Sequence, residues 1–186
     1  MVLPALENLA RLFVRYVGVI IAMLAVIGCG NPNRTDDGAG LHVIRILRQN
    51  AELSSRSDVM LLDAGTDGIA VMFAARGCTS LIVVDCCKTG AEPGTMFEIP
   101  GHELESPHQP TLSLHDFRWE HAVYAGRQMY REAFPKDVTA FLIEARSLEF
   151  GLALSADIGA AAEKVARKIE TRIASMPEIF CNGHPA

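Results

Sequence analysis

The sequence lacks any cluster of lysine and arginine residues. It has 17 Lys and Arg residues against 22 Asp and Glu residues, which gives a formal net charge of −5 at pH 7. Proteins that bind nucleic acid present a basic surface that neutralises phosphate groups. We therefore expect no nucleic acid partner for this chain.

The sequence also lacks several patterns that define common kinds of site. Its five cysteines show neither Cys-x-x-Cys spacing nor the pattern of a disulfide framework, which favours a reduced, intracellular protein. There is no His-Glu-x-x-His helix, no Gly-x-Ser-x-Gly turn and no plausible cysteine–histidine dyad. The common protease mechanisms built on those motifs are therefore not supported.

The N-terminal segment permits two interpretations. Arg11 and Arg15 precede an apolar run that ends at Cys29, a pattern similar to a lipoprotein signal with its cleavage site. Cleavage before Cys29 would remove the first core strand, and the run is shorter than the ~20 residues that a membrane-spanning helix needs. We therefore predict that residues 1–20 are an N-terminal extension, helical or poorly ordered, and that the protein is cytoplasmic with no membrane partner.

The rest of the chain is organised around residues 26–40. An apolar run ends here in two glycines, an asparagine and a proline, and the adjacent carboxylates Asp36 and Asp37 follow. This pattern predicts a buried strand, a sharp loop and a helix from Asp37 to Asn50. The helix is indicated by apolar residues at helical spacing, namely Leu41, Ile44 and Leu47. The carboxylates would then lie at the carboxyl edge of a central strand, where open α/β sheets bind ligands.

Strand and helix patterns alternate along the remaining chain. They predict an α/β fold with three layers (α/β/α), in which a mostly parallel, twisted sheet of about five strands has one short edge strand. The predicted strands span 58–63, 80–85, 137–144 and, at the edge, 95–99. The predicted helices run from a cap at Thr66 to about Arg76, from a Ser113–Asp116 capping box to about Phe134, and from a cap at Ser155 to about Ser175.

Acidic side chains stand at the ends of several predicted parallel strands. They are Asp37, Asp63, Asp85 and Glu144, and His115 begins a helix after a long loop at 101–112. Two carboxylates and one imidazole can bind a divalent transition metal and leave positions open for substrate. Each residue also has an ordinary explanation, as a helix-capping or dipole-facing carboxylate or as a surface histidine. Their convergence on one crevice favours the metal site.

Five motifs, in order, resemble those of the hydrogenase maturation endopeptidases, which trim the C-terminus of the nickel-iron hydrogenase large subunit. The resemblance covers about residues 22–175. The motifs are Ile27-Gly28-Cys29-Gly30-Asn31 with Asp36-Asp37-Gly38, Leu62-Asp63-Ala64-Gly65-Thr66, Leu81-Ile82-Val83-Val84-Asp85 with Glu92-Pro93-Gly94-Thr95, Ser113-Leu114-His115, and the run from Glu144 to Ser155.

The resemblance implies roles for these residues. Asp37, Asp85 and His115 would bind the metal by which nickel in the precursor is sensed, and Asp63 would line the cleft and help to hold the substrate tail. The catalytic group would thus comprise Asp37, Asp63 and Asp85. Nickel delivered by the substrate would be the metal, with cadmium or zinc as surrogates, and its role could be recognition or polarisation of the scissile carbonyl.

The resemblance also implies the organisation and the partner of the chain. Residues 21–176 would form a single domain like that of a maturation protease, and residues 177–186 would form a C-terminal tail. The partner would be a nickel-iron hydrogenase large-subunit precursor, and we expect the protein to be a monomer.

Some residues depart from the family pattern. Asn33-Arg34 replaces an apolar residue, Ala64 replaces a glycine, and Cys86-Cys87 follows Asp85 where small apolar residues are typical. The two thiols are either a soft ligand for nickel or small buried residues at a strand end. The second interpretation is favoured because free cysteine is among the most buried residue types.

Two other functions compete with the endopeptidase. A non-catalytic nickel-handling or scaffold protein would keep the cleft without cutting. A dinucleotide-binding module is indicated by Gly28-x-Gly30 after a strand, but Asn33 stands where the third glycine belongs and acidic residues crowd the phosphate position.

Overall fold

A five-stranded sheet forms the centre of the computed structural model, which describes residues 23–104 and 118–177. Its strands are β1 (Leu24–Cys29), β2 (Val59–Gly65), β3 (Ser80–Cys87), β4 (Met96–Pro100) and β5 (Asp137–Glu144). Their order across the sheet is β2-β1-β3-β5-β4, and every pair is parallel except the antiparallel pair of β4 and β5. The predicted sheet, mostly parallel with one short edge strand, is confirmed.

Helices cover both faces of this sheet. They are α1 (Ala39–Gln49), α2 (Ala51–Ser55), α3 (Gly68–Ala75), α4 (Trp119–Tyr130) and α5 (Ala156–Ala174), with short 3₁₀ turns at Thr35–Gly38 and Arg131–Ala133. The apolar side chains of α1 and α5 pack on one face, and those of α3 and α4 pack on the other. Burial on both faces explains why β1 and most of β3 are continuously apolar. The predicted three-layer architecture is confirmed.

Two helix starts differ from the sequence prediction. The cap of α3 is Asp67 and not Thr66, because the Asp67 carboxylate accepts the N–H groups of Ile69 and Ala70. The helix predicted from Asp37 becomes α-helical only at residue 39, after a 3₁₀ turn. The side chains of Thr35, Asp36 and Asp37 form hydrogen bonds with other segments of the chain. These bonds hold the turn in its 3₁₀ conformation, so it does not continue the α-helical hydrogen-bonding pattern.

Helix α4 is shorter than the predicted helix that ends near Phe134. It begins after Arg118, whose backbone is extended, and it ends where Arg131 adopts a φ of 47°. Ser113 and Asp116, the predicted capping box, lie outside the described residues, as do His115, residues 1–20 and most of the predicted C-terminal tail. Within 23–104 and 118–177, no helix is both long and apolar enough to cross a membrane.

Gly40 sets the close approach of α1 to the sheet. A Cβ atom at this residue would lie 2.2 Å from the carbonyl oxygen of Val84 and 2.4 Å from that of Cys29. Gly28 faces the same contact from the strand side, where a Cβ would lie 2.4 Å from the Gly40 carbonyl oxygen. The first turn of α1 therefore rests on the carboxyl ends of β1 and β3, and the turn that precedes α1 lies at this edge of the sheet.

Candidate metal-binding site

Three side chains that can bind a metal meet at the carboxyl edge of the sheet. Asp37 comes from the turn before α1, and Asp85 and Cys86 come from the end of β3. One ligand atom of each lies within 4.8 Å of the others, and each residue is half-buried. The Cys86 thiol donates a hydrogen bond to Asp37 Oδ1 over 3.1 Å. Two carboxylates and a thiol thus converge at the edge where ligands of parallel sheets bind.

The loop after β1 positions Asp37. The backbone N–H of Asn31 donates to Asp37 Oδ2 over 3.1 Å. Gly30, between the strand and this loop, has a φ of 121°, and a Cβ there would lie 1.7 Å from the Asp37 carbonyl oxygen. Glycine is therefore required at this position both by the backbone conformation and by the close packing.

Two donors orient the carboxylate of Asp85. The indole N–H of Trp119 donates to Oδ2 over 2.8 Å, and the backbone N–H of Cys86 donates to Oδ1 over 2.8 Å. Burial raises the pKa of Asp85 to about 7, these two donors oppose the rise, and the charges of Asp37 and Glu120 add to it. A carboxyl group with such a pKa can take up or release a proton near neutral pH, as acid–base catalysis requires.

The two adjacent thiols differ in their surroundings. Burial, followed by the charge of Asp85 and the hydrogen bond to Asp37, raises the pKa of Cys86, so this side chain is a thiol that donates into the cluster. The Cys87 thiol donates instead to Glu144 Oε2 over 3.4 Å. Burial and this contact raise the pKa of Cys87 to about 12. Among the described residues, only Cys86 of this pair belongs to the metal-ligand cluster.

Asp36 has a structural function that sequence reasoning missed. Its side chain is completely buried, with 0% exposure, and it accepts four hydrogen bonds from the segment that follows β5. The donors are the backbone N–H groups of Arg146 (3.0 Å), Ser147 (2.8 Å) and Ser155 (2.7 Å) and the Ser155 hydroxyl (3.1 Å). Ser155 occupies the N-cap of α5, as predicted, but its hydroxyl serves Asp36 rather than the helix.

Thr35 also connects the turn before α1 to the segment that follows β5. Its φ of 41° is unusual for a residue with a branched side chain. Its hydroxyl donates to the Ser147 carbonyl oxygen over 2.8 Å, and its N–H donates to the Gly151 carbonyl oxygen over 2.8 Å. The turn that carries Asp37 is therefore fixed by contacts with residues more than a hundred positions away along the chain.

Glu144, a third strand-end carboxylate, does not join the cluster. It is buried, and it accepts the N–H groups of Thr89 and Gly90 as well as the Thr89 hydroxyl. Burial alone would raise the pKa of Glu144, but these donors outweigh it and lower the pKa to about 2. The carboxylate connects the loop after β3 to the end of β5, and both of its oxygens already accept hydrogen bonds from that loop.

The other predicted site residues have different placements. Asp63 is exposed at the end of β2, where its Oδ1 accepts the N–H of Gly65 over 3.1 Å, and it is not part of the metal-ligand cluster. His115 lies outside the described residues. The structure thus brings Asp37 and Asp85 together and adds Cys86 and Trp119 to them.

A sequence signal existed for Trp119. It is the only tryptophan of the chain, and a buried indole N–H, which can only donate, needs an acceptor. A carboxylate at the end of a neighbouring strand is a suitable acceptor. For Asp36 no comparable signal exists, because its donors are backbone groups of a distant segment.

The family model described as hydrogenase maturation protease (HycI) matches residues 41–172 of the chain. Among curated proteins, coenzyme F420 hydrogenase subunit delta of Methanothermobacter thermautotrophicus is 38% identical over 105 residues, which cover 51% of this chain and 66% of that protein. The chain thus spans just under two thirds of the length of this relative, and only 36% of the length of the protein HupD of Thiocapsa roseopersicina.

Two further comparisons cover more of the chain. The hydrogenase 2 maturation protease of Escherichia coli is 26% identical over 147 residues, which cover 78% of this chain and 87% of that protein. The solved structure of the hydrogenase maturating endopeptidase HybD from Escherichia coli has a TM-score of 0.68, with 24% identity over 82% of this chain and 94% of that chain. The structural likeness supports the same fold.

Proposed function

Because the chain belongs to the hydrogenase maturation protease family, we propose that it is an endopeptidase that removes a short C-terminal peptide from a nickel-loaded nickel-iron hydrogenase large-subunit precursor. The observation that carries this proposal is the convergence of Asp37 and Asp85 at the carboxyl edge of the sheet. Two carboxylates fill only part of the coordination sphere of a divalent ion. A partner protein can therefore keep hold of the same ion through the remaining positions.

Asp37, Asp85 and His115 are the proposed ligands that sense the nickel of the precursor. The donor set of the described residues fits a transition metal, since two carboxylates and a thiol converge within 4.8 Å. Nickel held by the precursor and shared with this edge would place the precursor's tail beside the cleft. Metal loading would then be converted into correct positioning of the scissile bond, which is a large source of rate enhancement.

Asp85 and Asp63 have different proposed functions in cleavage. Asp85, as one of the proposed nickel ligands, would be deprotonated while the metal is bound and would hold it beside the scissile carbonyl. Asp63 is exposed at the end of β2, the strand beside β1, where its carboxylate can accept backbone N–H groups of a peptide tail. Together, these two residues and Asp37 form the proposed catalytic group.

Two exposed apolar side chains lie on the segment fastened to the Asp37 turn. Phe150 is 87% exposed and Leu152 is 84% exposed, and the guanidinium of Arg34 lies 5.9 Å from the centre of the Phe150 ring. Large apolar side chains that remain exposed together suit contact with another protein. Their location supports a macromolecular substrate that approaches the metal-ligand edge.

The test is cleavage of a large-subunit precursor prepared with and without nickel and followed by mass spectrometry. The wild-type protein should release a short peptide from the nickel-loaded form only, and Asp37→Asn should release none. Asp67→Asn is the matched control, because asparagine also caps helices and α3 should remain intact. This control should cleave like the wild type.

Two results would contradict parts of the proposal. Equal cleavage of both precursors would show that nickel is not sensed. Failure to cleave either precursor, together with tight binding of the nickel-loaded one, would show a non-catalytic scaffold protein instead.

A further inference from the structure

The Cys86 thiol lies within 4.8 Å of a carboxylate oxygen of both Asp37 and Asp85. We propose that Cys86 is a third metal ligand supplied by this chain, and that its sulfur makes the site selective for thiophilic divalent metals. The inference rests on the proposed function, because it assumes that Asp37 and Asp85 bind a metal. It goes beyond that function because it names Cys86 as a metal ligand and states which metals the site prefers.

The distances in the cluster are close to those of a metal complex. In a tetrahedral zinc site, with metal–sulfur and metal–oxygen distances of about 2.3 and 2.1 Å, bound sulfur and oxygen lie about 3.6 Å apart. Cys86 Sγ is 3.1 Å from Asp37 Oδ1, and all three ligand atoms lie within 4.8 Å of one another. The distance between Cys86 Sγ and Asp37 Oδ1 would have to lengthen by about 0.5 Å, and the other distances would have to shorten by at most about 1.5 Å, for one metal ion to contact all three atoms.

The hydrogen bond within the cluster can be replaced by the metal. When a divalent ion binds, the S–H bond breaks, the proton leaves to water, and the sulfur electron pair is donated to the ion. Coordination to a divalent cation deprotonates a thiol in this way. Asp37 Oδ1 then exchanges its hydrogen bond for a bond to the metal, so neither atom is left without a partner.

The thiol decides which metals the described ligands prefer. Carboxylates alone are hard ligands that suit magnesium, calcium and manganese, whereas thiolate selects softer ions such as zinc. A site of Asp37, Asp85 and Cys86 would therefore discriminate against the abundant hard cations. Such discrimination would matter for a protein that must respond to one transition metal on its partner.

Cys87 provides an internal comparison. Its thiol contacts Glu144 Oε2, and that carboxylate is already engaged by Thr89 and Gly90. Cys87 is not part of the metal-ligand cluster. The Cys87→Ser change therefore removes an adjacent sulfur of the same strand without touching the proposed ligand set.

The test is X-ray absorption spectroscopy of the full-length zinc-loaded protein, with no precursor present. The wild type and Cys87→Ser should show a sulfur neighbour at about 2.3 Å from zinc, and Cys86→Ser should show only oxygen and nitrogen neighbours. Cys86→Ser should also weaken cadmium binding by at least roughly 10–100-fold, the loss typical of outer-shell ligand partners, and leave magnesium binding unchanged. Serine keeps a hydroxyl donor for Asp37, and an unchanged unfolding midpoint would confirm that the variant folds.

The outcomes separate this inference from the proposed function. A sulfur neighbour that persists in Cys86→Ser, or that is absent from the wild type, would overturn the assignment of Cys86. Cleavage of the nickel-loaded precursor by the wild type would still stand in that case. Conversely, a sulfur neighbour that depends on Cys86, in a protein that cleaves no precursor, would support the ligand assignment and contradict the endopeptidase.

Discussion

Replacing Asp36 with asparagine should destabilise the whole fold, whereas the same change at the adjacent Asp37 should not. The Asp36 carboxylate is fully buried and accepts three backbone N–H groups and one hydroxyl. Asparagine has nearly the same shape but only one acceptor oxygen. The substitution therefore tests the hydrogen bonds and not the packing.

The expected loss follows from the geometry. If the amide oxygen takes the place of Oδ2, it keeps three donors, and the amide NH₂ then faces the N–H of Ser155, which was bonded over 2.7 Å. A buried donor without an acceptor costs about 1–3 kcal/mol, and bonds to a neutral acceptor are weaker than those to a carboxylate. The lower cost of burying a neutral group offsets part of this. We expect a net loss of about 3 kcal/mol in the free energy of unfolding.

Urea unfolding followed by the fluorescence of the single tryptophan, Trp119, measures this loss. With a denaturant slope of about 2 kcal/mol/M, the midpoint should fall by roughly 1.5 M in Asp36→Asn. Asp37 is half-buried and accepts one backbone N–H and one thiol, so Asp37→Asn should shift the free energy of unfolding by less than about 1 kcal/mol. Its cadmium binding, however, should be lost.

Either of two results would refute the reasoning. If Asp36→Asn unfolds at the same urea concentration as the wild type, the four hydrogen bonds do not hold the turn. If Asp37→Asn loses as much stability as Asp36→Asn, the division between a structural and a metal-binding carboxylate is wrong.

Four further changes have defined outcomes. Gly40→Ala should destabilise the fold by about 3 kcal/mol or more, because its Cβ would meet backbone oxygens at 2.2 and 2.4 Å. Gly159→Ala in α5 should instead stabilise the fold by about 0.5–1 kcal/mol, because open space surrounds this residue. Thermal unfolding measures both changes. Glu144, whose pKa is lowered to about 2 by its donors, stabilises the fold above its ordinary pKa of 4.5. The difference in unfolding midpoint between the wild type and Glu144→Gln should therefore shrink as the pH falls from 4.5 to about 2, and a constant difference would contradict this. Phe150→Ser should weaken precursor binding without changing the unfolding midpoint, because the ring is 87% exposed, and unchanged binding would exclude it from the interface.

Much of the fold could be predicted because its signals are local. The strand predicted at 137–144 has these same bounds in the structure, and the apolar run at 80–85 forms the buried body of β3. The family was also predicted, and the match over residues 41–172 confirms it. Helix starts are harder to place from sequence because neighbouring polar residues compete to cap them, as Thr66 and Asp67 show.

The site could be predicted only in part. Asp37 follows β1 and Asp85 lies near the end of the neighbouring strand β3, so both lie at the carboxyl edge of the sheet, where their convergence was predicted. Cys86 beside them was the less favoured of two interpretations, because free cysteine is more often a small buried residue than a metal ligand. Its thiol reaches Asp37 because the turn before α1 lies across the end of β3, and that placement depends on the close packing of Gly40.

The pair Asp36–Asp37 illustrates how one turn can both support the fold and carry a proposed metal ligand. Identical adjacent side chains point to different partners, because the segment after β5 supplies N–H donors on one side and the end of β3 supplies a thiol on the other. A metal ligand on a loop needs a fixed backbone if it is to share an ion with a partner at a defined distance. Asp36 provides that rigidity, since its bonds anchor the turn to a segment more than a hundred residues away.

A change at Asp36 should therefore weaken metal binding indirectly, because it loosens the turn that carries Asp37. Stabilising the fold at another site would not restore the binding. Cadmium affinity measured in Asp36→Asn under conditions where that variant is fully folded should fall, and an unchanged affinity would show that Asp37 is positioned without its neighbour.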